Sequence, residues 1–430
     1  MGIHRPPNST KLYLLKTIFF FILLIGLHKP VIAQYSGLDL LGGEDTKTVS
    51  FEYINGFILT KVVYGGLLTM NFIVDTGASH NILFKKNAND ILGIRYTDTI
   101  DISGADITGE LKAYVSRNVS LMLPKTPIIK RDIIILDEDY LELEKVLGVR
   151  VDGILGGDFF KGLVLELDFR KRRLIFRNPG RYKPPNSFKH YKIDMHNYKP
   201  YIDAPTKVED SADTLKYLLD TGASLALLVH SNVVDGFEMP KNTIVGNLGK
   251  GLAGDLTGYI GLTRSFRFGG FEFKNVVTSF QDIDFDVIKG RNIVREGLIG
   301  TILLSRYDLI IDYVNQDLYL RPNSKLDKEF SFDKSGMLIY AFGENLDEYI
   351  VKAVYPDTPA EEAGVLPGDQ IIKIGWWPIE FYELPDIVEK LQGKVGKKIK
   401  LKLKRGDEVR KVNFRLRNLF EDKPDENSTK

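Results

Sequence analysis

The chain has 430 residues, a formal net charge of +1 and no cysteine, with a pI near 7.7. Its length allows two or three domains with ample core. The near-neutral charge argues against nucleic acid as a partner, and the lack of cysteine excludes disulfides and thiolate metal sites.

Residues 1–33 predict a signal peptide. Arg5, Lys11 and Lys16 precede the apolar run 17–27, and the residues up to Ala33 are small enough to allow cleavage before Gln34. The apolar run is short for a membrane span, which makes an uncleaved anchor the weaker alternative. We therefore expect an exported protein that touches a membrane only through this segment, if the segment is retained.

One pentapeptide, Asp-Thr-Gly-Ala-Ser, occurs twice, at 75–79 and at 220–224, each time after an apolar strand-like run. Two carboxylates presented by equivalent turns can share a proton, and such a pair can do acid and base chemistry on a water molecule. Asp75 and Asp220 are therefore the candidate catalytic residues. The alternative is a pair of ordinary turns in which Asp and Gly supply turn chemistry.

The two pentapeptides belong to a longer internal repeat. An apolar-Gly element begins at Gly153, 78 positions after Asp75 (153 − 75), and at Gly297, 77 positions after Asp220 (297 − 220). A further apolar landmark containing Asp follows in each copy. Short runs of Ile, Val, Leu and Phe between Gly, Asn and Asp predict mostly β structure.

The order of Asp-Thr-Gly, Gly-rich hairpin and apolar-apolar-Gly resembles the aspartic proteases of the pepsin and retroviral-protease group, over about residues 50–322. The resemblance implies a mainly β, bilobal fold, with two β-barrel-like lobes around a pseudo-twofold axis. We expect lobe 1 at 34–185 and lobe 2 at 186–324. A single chain would then hold both halves of the site, so a monomer should be sufficient.

The residues beside each Asp have expected supporting roles. Gly77 and Gly222 let the backbone turn tightly and bring N–H groups near the carboxylates. The resemblance implies that Thr76 and Thr221 hydrogen-bond across the pseudo-twofold axis and hold the two loops together.

Ala78 and Ala223 depart from the pepsin pattern, which usually has Ser or Thr there, and match the retroviral one. A hydroxyl at this position favours the ionised carboxylate. Its absence should therefore move the acid limb of the pH–rate profile to higher pH. We therefore predict a pH optimum milder than that of pepsin.

Two Gly-rich stretches are candidate flaps over a bound substrate. The first contains Gly104, Asp106 and Gly109, and the second contains Gly251 and Gly254. Plain hairpin turns are the alternative.

The composition changes after residue 322, and residues 328–418 resemble the small α+β PDZ domains attached to bacterial proteases. The resemblance rests on the stretch 358–369, which contains Pro-Ala-x-x-Ala-Gly, and on the apolar strand after it. It favours a bacterial protein exported to the periplasm or beyond. Residues 419–430 read as a polar tail.

A peptide-binding role for the PDZ domain is one of two interpretations. Gly336, Met337 and Leu338 stand where such domains hold a carboxylate-binding loop, so the C-terminus of a peptide ligand could add as an extra strand there. The alternative is a degenerate PDZ domain that serves as a spacer.

These observations favour an exported aspartic endopeptidase that cleaves extended peptides and uses no metal or cofactor. A non-catalytic scaffold that binds peptides through the PDZ domain is the main alternative, and a narrow processing enzyme gated by that domain is another. Intact Asp, Thr and Gly in both motifs argue against the scaffold.

Overall fold

The computed structural model describes residues 37–103, 110–251, 254–283 and 295–421. From Gly37 onward the chain forms one compact unit. Among the described residues, no helix is long and apolar enough to cross a membrane.

Over its described residues, the first repeat folds as a strand-rich lobe with a few short helices. Several of its strands, such as β3 and β8, carry continuous runs of buried residues, as in sheets covered on both faces. The elements are β1 (Thr46–Ser50), β2 (Glu52–Ile54), β3 (Phe57–Tyr64), β4 (Leu68–Val74), β5 (Ile82–Leu83), α1 (Asn87–Ile91), β6 (Asp98–Ser103), β7 (Glu110–Met122), β8 (Ile129–Leu136), α2 (Leu143–Leu147), β9 (Gly153–Leu155), α3 (Gly157–Phe160), β10 (Val164–Asp168) and β11 (Arg173–Arg177).

The second repeat follows the same plan. Its elements are β12 (Lys189–Lys192), β13 (Asp194–His196), β14 (Lys199–Val208), β15 (Ser211–Asp220), β16 (Leu227–His230), β17 (Ile244–Gly251), β18 (Gly254–Phe268), β19 (Phe271–Gln281), β20 (Gly297–Gly300), α4 (Thr301–Leu304), β21 (Tyr307–Asp312) and β22 (Asp317–Pro322). Sheet order matches strand for strand, β2-β3-β4-β9-β5-β8-β7-β6 in one lobe and β13-β14-β15-β20-β16-β19-β18-β17 in the other. The predicted bilobal, mainly β fold is confirmed.

A third sheet joins the two lobes, in the order β1-β11-β10-β21-β22-β12. At its centre β10 of one repeat pairs with β21 of the other, placing Leu165 opposite Ile311 and Leu167 opposite Leu309. All four side chains are buried. Burial of each contributes about 1.5–3 kcal/mol to the free energy of unfolding, so this sheet fixes the lobes to one another.

The segment after β22 is fastened to lobe 2 although its sequence is polar. Arg306 donates to the carbonyls of Lys325 at 3.2 Å and Leu326 at 2.9 Å. Its guanidinium carbon also lies 3.8 Å from the ring centroid of Phe330. The connection to the last domain is therefore packed rather than loose.

The last domain has its own apolar core. Its elements are β23 (Met337–Phe342), β24 (Glu348–Val354), α5 (Pro359–Glu362), β25 (Gln370–Ile374), β26 (Trp377–Pro378), α6 (Leu384–Leu391), β27 (Lys398–Arg405) and β28 (Glu408–Arg415). A capping box starts α6, because Glu383 and Asp386 each accept from the other's backbone N–H.

Packed residues extend into the segment 419–430 that the sequence predicted as a polar tail. Phe420 is buried, and with Leu419 it joins an apolar cluster that contains Tyr355 and Ile244. The polar tail therefore begins after these two residues.

The last domain contacts both lobes. Tyr355 packs on lobe 2, where a Cβ added to Gly246 would lie 2.7 Å from its ring. On lobe 1, helix α2 packs against β23, with Lys145 Nζ 5.0 Å from the ring centroid of Phe342. A Cβ added to Gly148 would lie 2.7 Å from Cβ of Leu384 in α6.

Candidate active site

Equivalent strands deliver the two candidate catalytic carboxyls. Asp75 directly follows β4, which pairs in parallel with β9, and its N–H donates to the carbonyl of Leu155 at 3.0 Å. Asp220 ends β15, which pairs in parallel with β20 and places it opposite Gly300. The apolar-Gly elements of the repeat thus lie directly behind the Asp-Thr-Gly loops.

The structure brings the two aspartates together. A Cβ added to Gly77 would lie 2.4 Å from Cγ of Asp220, and one added to Gly222 would lie 2.2 Å from Cγ of Asp75. Real Cβ atoms do not approach so closely, so only glycine fits at either position. Each loop therefore holds the opposite carboxyl against its own backbone.

The two threonines bond across the same junction. Thr76 N–H donates to Thr221 Oγ1 at 3.0 Å and Thr221 N–H donates to Thr76 Oγ1 at 3.1 Å. Each hydroxyl in turn donates at 2.7 Å to a carbonyl of the other lobe, Leu219 for Thr76 and Val74 for Thr221. Both side chains are fully buried, so these bonds are shielded from water.

Backbone N–H groups of each catalytic loop donate hydrogen bonds to the aspartate of the same loop. Asp75 Oδ1 accepts from Gly77 at 2.7 Å and Ala78 at 3.0 Å, and Asp220 Oδ1 accepts from Gly222 at 2.8 Å. Ala78 thus contributes its N–H, with no hydroxyl to add a further bond.

The two carboxyls titrate differently. Burial, and then the charge of Asp220, hold the pKa of Asp75 well above its ordinary value despite the N–H bonds. Burial also raises the pKa of Asp220, but the positive charges of Arg295 and Lys199 oppose that rise. Since a cation favours the ionised form, Arg295 and Lys199 favour ionisation of Asp220, within a pair that titrates as a unit.

Sequence reasoning missed the cationic side of the site. Burial raises the pKa values of Asp220 and Tyr201, and the positive charge of Arg295 opposes that rise. Burial lowers the pKa of His230, and the charge of Arg295 lowers it further. It stands two positions before Gly297, where the first repeat has the buried Val151 before Gly153. An alignment of the two repeats would have identified Arg295, because it is charged where the equivalent residue, Val151, is apolar.

The candidate flaps are placed only in part. In lobe 1, β6 and β7 form a hairpin that closes with Ser103 opposite Glu110, while Gly104, Asp106 and Gly109 lie outside the described residues. In lobe 2, Gly251 pairs with Gly254 at the end of the β17–β18 hairpin. The flap function of both stays a prediction.

The candidate carboxylate-binding loop already holds a carboxylate from its own chain. Asp333 Oδ1 accepts from the backbone N–H of Ser335 at 2.9 Å, Gly336 at 2.6 Å and Met337 at 3.3 Å. The Ser335 hydroxyl donates to it as well, at 2.9 Å. A peptide C-terminus would have to displace Asp333 to use the N–H groups of Gly336 and Met337, which the sequence did not indicate.

Two family models match separate parts of the chain. One, described as aspartyl protease, matches residues 60–159, and the other, a PDZ domain, matches residues 350–405. Both resemblances predicted from the sequence are confirmed, and together they support a protease that carries a PDZ domain.

Two curated bacterial proteins are similar over shorter stretches. A probable CtpA-like serine protease from Staphylococcus haemolyticus is 24% identical over 161 residues, which is 36% of this chain and 30% of that protein. The carboxy-terminal processing protease CtpB of Bacillus subtilis is 27% identical over 122 residues, which is 28% of this chain and 24% of that protein. The chain thus spans under a third of either relative.

One solved structure, an aspartic proteinase from Irpex lacteus, aligns with 66% of this chain and 99% of its own. Its TM-score is 0.42 and its sequence identity is 14%.

Proposed function

We propose that the protein is an aspartic endopeptidase whose Asp75–Asp220 pair activates a water molecule for peptide hydrolysis. The observation that carries this proposal is the reciprocal packing of Gly77 on Asp220 and Gly222 on Asp75. It holds two acidic groups with raised pKa values at one junction of the two lobes. Paired carboxyls that share a proton are suited to acid and base work on the same substrate.

The charges assign a starting role to each carboxyl. Ionised Asp220, favoured by Arg295 and Lys199, accepts a proton from the water molecule. At the same time the water oxygen bonds to the carbonyl carbon of the peptide bond that is cleaved. Protonated Asp75 donates to the carbonyl oxygen, which carries the developing negative charge. As the C–N bond of the tetrahedral intermediate breaks, the proton on Asp220 passes to the leaving amine, giving an acid and an amine.

An extended peptide across the junction suits the surrounding surface. Ala78, in the first catalytic loop, packs partly against an apolar cluster that contains Ile73 and Leu147. Ala223, in the second loop, packs against a smaller cluster with Tyr201. Apolar substrate side chains beside the cleaved bond would therefore be preferred. Closure of the Gly-rich hairpins, action as a monomer and export of the mature protein are parts of the same proposal.

A serine-type mechanism is the second candidate, because one of the similar bacterial proteins is named as a probable serine protease. Among the described residues, His80 pairs with Asp158 at 3.3 Å and His190 with Asp317 at 2.8 Å. Within those same residues, no serine hydroxyl bonds to either ring, so the Ser–His step of a triad lacks support there.

Digestion of a peptide library separates the two mechanisms. We expect cleavage by wild type and a loss of at least about a thousandfold in kcat/KM for both Asp75→Asn and Asp220→Asn. A serine-reactive phosphonate should leave the wild type active. Full activity in either variant, or inactivation by the phosphonate, would refute the aspartic mechanism, and no cleavage between about pH 3 and pH 8 would favour a scaffold.

A further inference from the structure

One face of the PDZ sheet is strongly basic. Along β27, lysines alternate with the buried Ile399, Leu401 and Leu403, and so share the solvent side. The register places Lys402 opposite both Lys373 of β25 and Lys411 of β28, and Lys398 opposite Arg415. This basic face consists of Lys373, Lys398, Lys400, Lys402, Lys404, Lys411 and Arg415.

The basic face costs stability in the isolated protein. Like charges directly opposite one another on neighbouring strands destabilise a sheet, and Lys373, Lys402 and Lys411 form such a row of three. Lysines do protect edge strands against aggregation, which accounts for Lys411 of the edge strand β28. It does not account for β27, which lies between β25 and β28. The row instead favours an anionic partner.

An aromatic hairpin tip projects beside this face. Trp376, in the turn between β25 and β26, is 83% exposed, Trp377 at the start of β26 is 59% exposed, and the nearby Phe381 is 69% exposed. The rings of Trp377 and Phe381 meet edge to face at 5.7 Å. Lys400 Nζ lies 5.8 Å from the ring centroid of Trp376, so the tip and the basic face are one continuous surface.

The combination identifies the chemistry of the partner. Tryptophan has an apolar body and a polar N–H, which suits the boundary between headgroups and acyl chains of a bilayer. Lysines around it add attraction to anionic lipids. Duplex DNA, whose bases are already stacked, or an acidic polypeptide would account for the lysines, but not for an exposed aromatic tip that projects beside them.

We propose that the aromatic tip and the basic face form a docking surface for the anionic headgroups of a phospholipid membrane. The docking acts through the folded PDZ domain and is separate from the apolar segment near the N-terminus. It does not depend on peptidase activity, so neither proposal falls with the other.

Vesicle binding by residues 37–430, the compact unit, tests this directly. The chain has two tryptophans and both are in the tip, so intrinsic fluorescence reports on the tip alone. Phosphatidylcholine vesicles with phosphatidylglycerol should sediment the protein and shift its emission to the blue, and those without it should not. Added salt should weaken the binding.

Matched variants separate the basic face from general charge. Reversal of three lysines in Lys398→Glu, Lys400→Glu, Lys402→Glu should weaken partitioning by about a hundredfold or more. The control Lys125→Glu, Lys171→Glu, Lys241→Glu carries the same change in net charge on exposed sites of the two lobes and should bind like wild type. Trp376→Ala with Trp377→Ala should also lose binding.

Four results would overturn the proposal. The first is wild type that stays in the supernatant with anionic vesicles at low salt. The second is sedimentation with unchanged tryptophan emission. The third is equal binding to duplex DNA or polyglutamate, and the fourth is an equal loss of binding in the control triple variant.

Discussion

Thr76 and Thr221 each donate a backbone N–H to the hydroxyl of the other, at 3.0 and 3.1 Å. The two catalytic loops are therefore bonded to one another and not only to their own lobes. Because both threonines are fully buried, loss of a hydroxyl would leave a donor and an acceptor that water cannot reach.

We expect Thr221→Val to cost about 1–3 kcal/mol in the free energy of unfolding, since it leaves the N–H of Thr76 and the carbonyl of Val74 unpaired. kcat should fall with it, because the loops lose their common reference. Thr221→Ser should restore both. Thr263→Val removes a buried hydroxyl bond to Thr278, at 2.8 Å, away from the dyad. It should lower stability and leave kcat unchanged; an equal kcat loss there would contradict the positioning role.

The contact between Gly222 and Asp75 makes a second prediction. Gly222→Ala introduces a Cβ 2.2 Å from the Asp75 carboxyl carbon, which forces the carboxyls apart. We expect kcat/KM to fall by about a hundredfold, as misplacement near 1 Å can do. Gly180→Ala meets only Asn178, at 3.4 Å, and serves as the control. Activity in Gly222→Ala equal to that control would rule out the proposed geometry.

Arg295 should set the acid limb of the pH–rate profile. Its positive charge opposes the rise in the pKa of Asp220, so Arg295→Met should raise that pKa. Activity requires the ionised carboxylate, and the acid limb should therefore move to higher pH. The exposed Arg267→Met provides the control. An unchanged acid limb in Arg295→Met would remove Arg295 from the site, and a wild-type optimum near pH 2 would contradict the prediction drawn from Ala78 and Ala223.

Asp333 should give the stability of the protein a pH dependence. Burial raises the pKa of this carboxyl from 3.8 to about 6, although bonds from Ser335 and Gly336 lower it. The folded chain then binds the proton more tightly than the unfolded chain. The free energy of unfolding should therefore rise as the pH falls from about 7 to about 4. The gain should be on the order of 2 kcal/mol, since the side chain keeps some contact with solvent.

Urea unfolding at about pH 7 and about pH 4 measures this effect. Asp333→Asn keeps an acceptor for the three N–H groups but cannot titrate, so its difference between the two pH values should be smaller than that of wild type. Asp347→Asn, an exposed substitution in the same domain, should behave like wild type. The same difference in all three proteins would contradict the role of Asp333.

The fold was largely predictable because the sequence contains an internal repeat of the Asp-Thr-Gly-Ala-Ser motif and its apolar-Gly element. The spacing from Asp75 to Gly153 and from Asp220 to Gly297 predicted a duplication, and the matching sheet orders confirm it. The packing of Leu419 and Phe420 was not predicted, since the polar run that begins at Glu421 suggested that these two residues belong to the tail. Two apolar residues carry no periodicity.

The residues of the dyad follow from the sequence alone, because identical pentapeptides after equivalent strands can only present equivalent side chains. Which carboxyl holds the proton does not follow, because Arg295 and Lys199 lie 75 and 21 positions away from Asp220 along the chain (295 − 220 and 220 − 199). Folding decides which distant charges approach a buried group, and a pKa depends on that proximity. The place of Asp333 in the PDZ loop could not be predicted either, because it depends on the directions in which the backbone N–H groups point. Nor could the row of Lys373, Lys402 and Lys411, because only the pairing register of the strands brings these three lysines side by side.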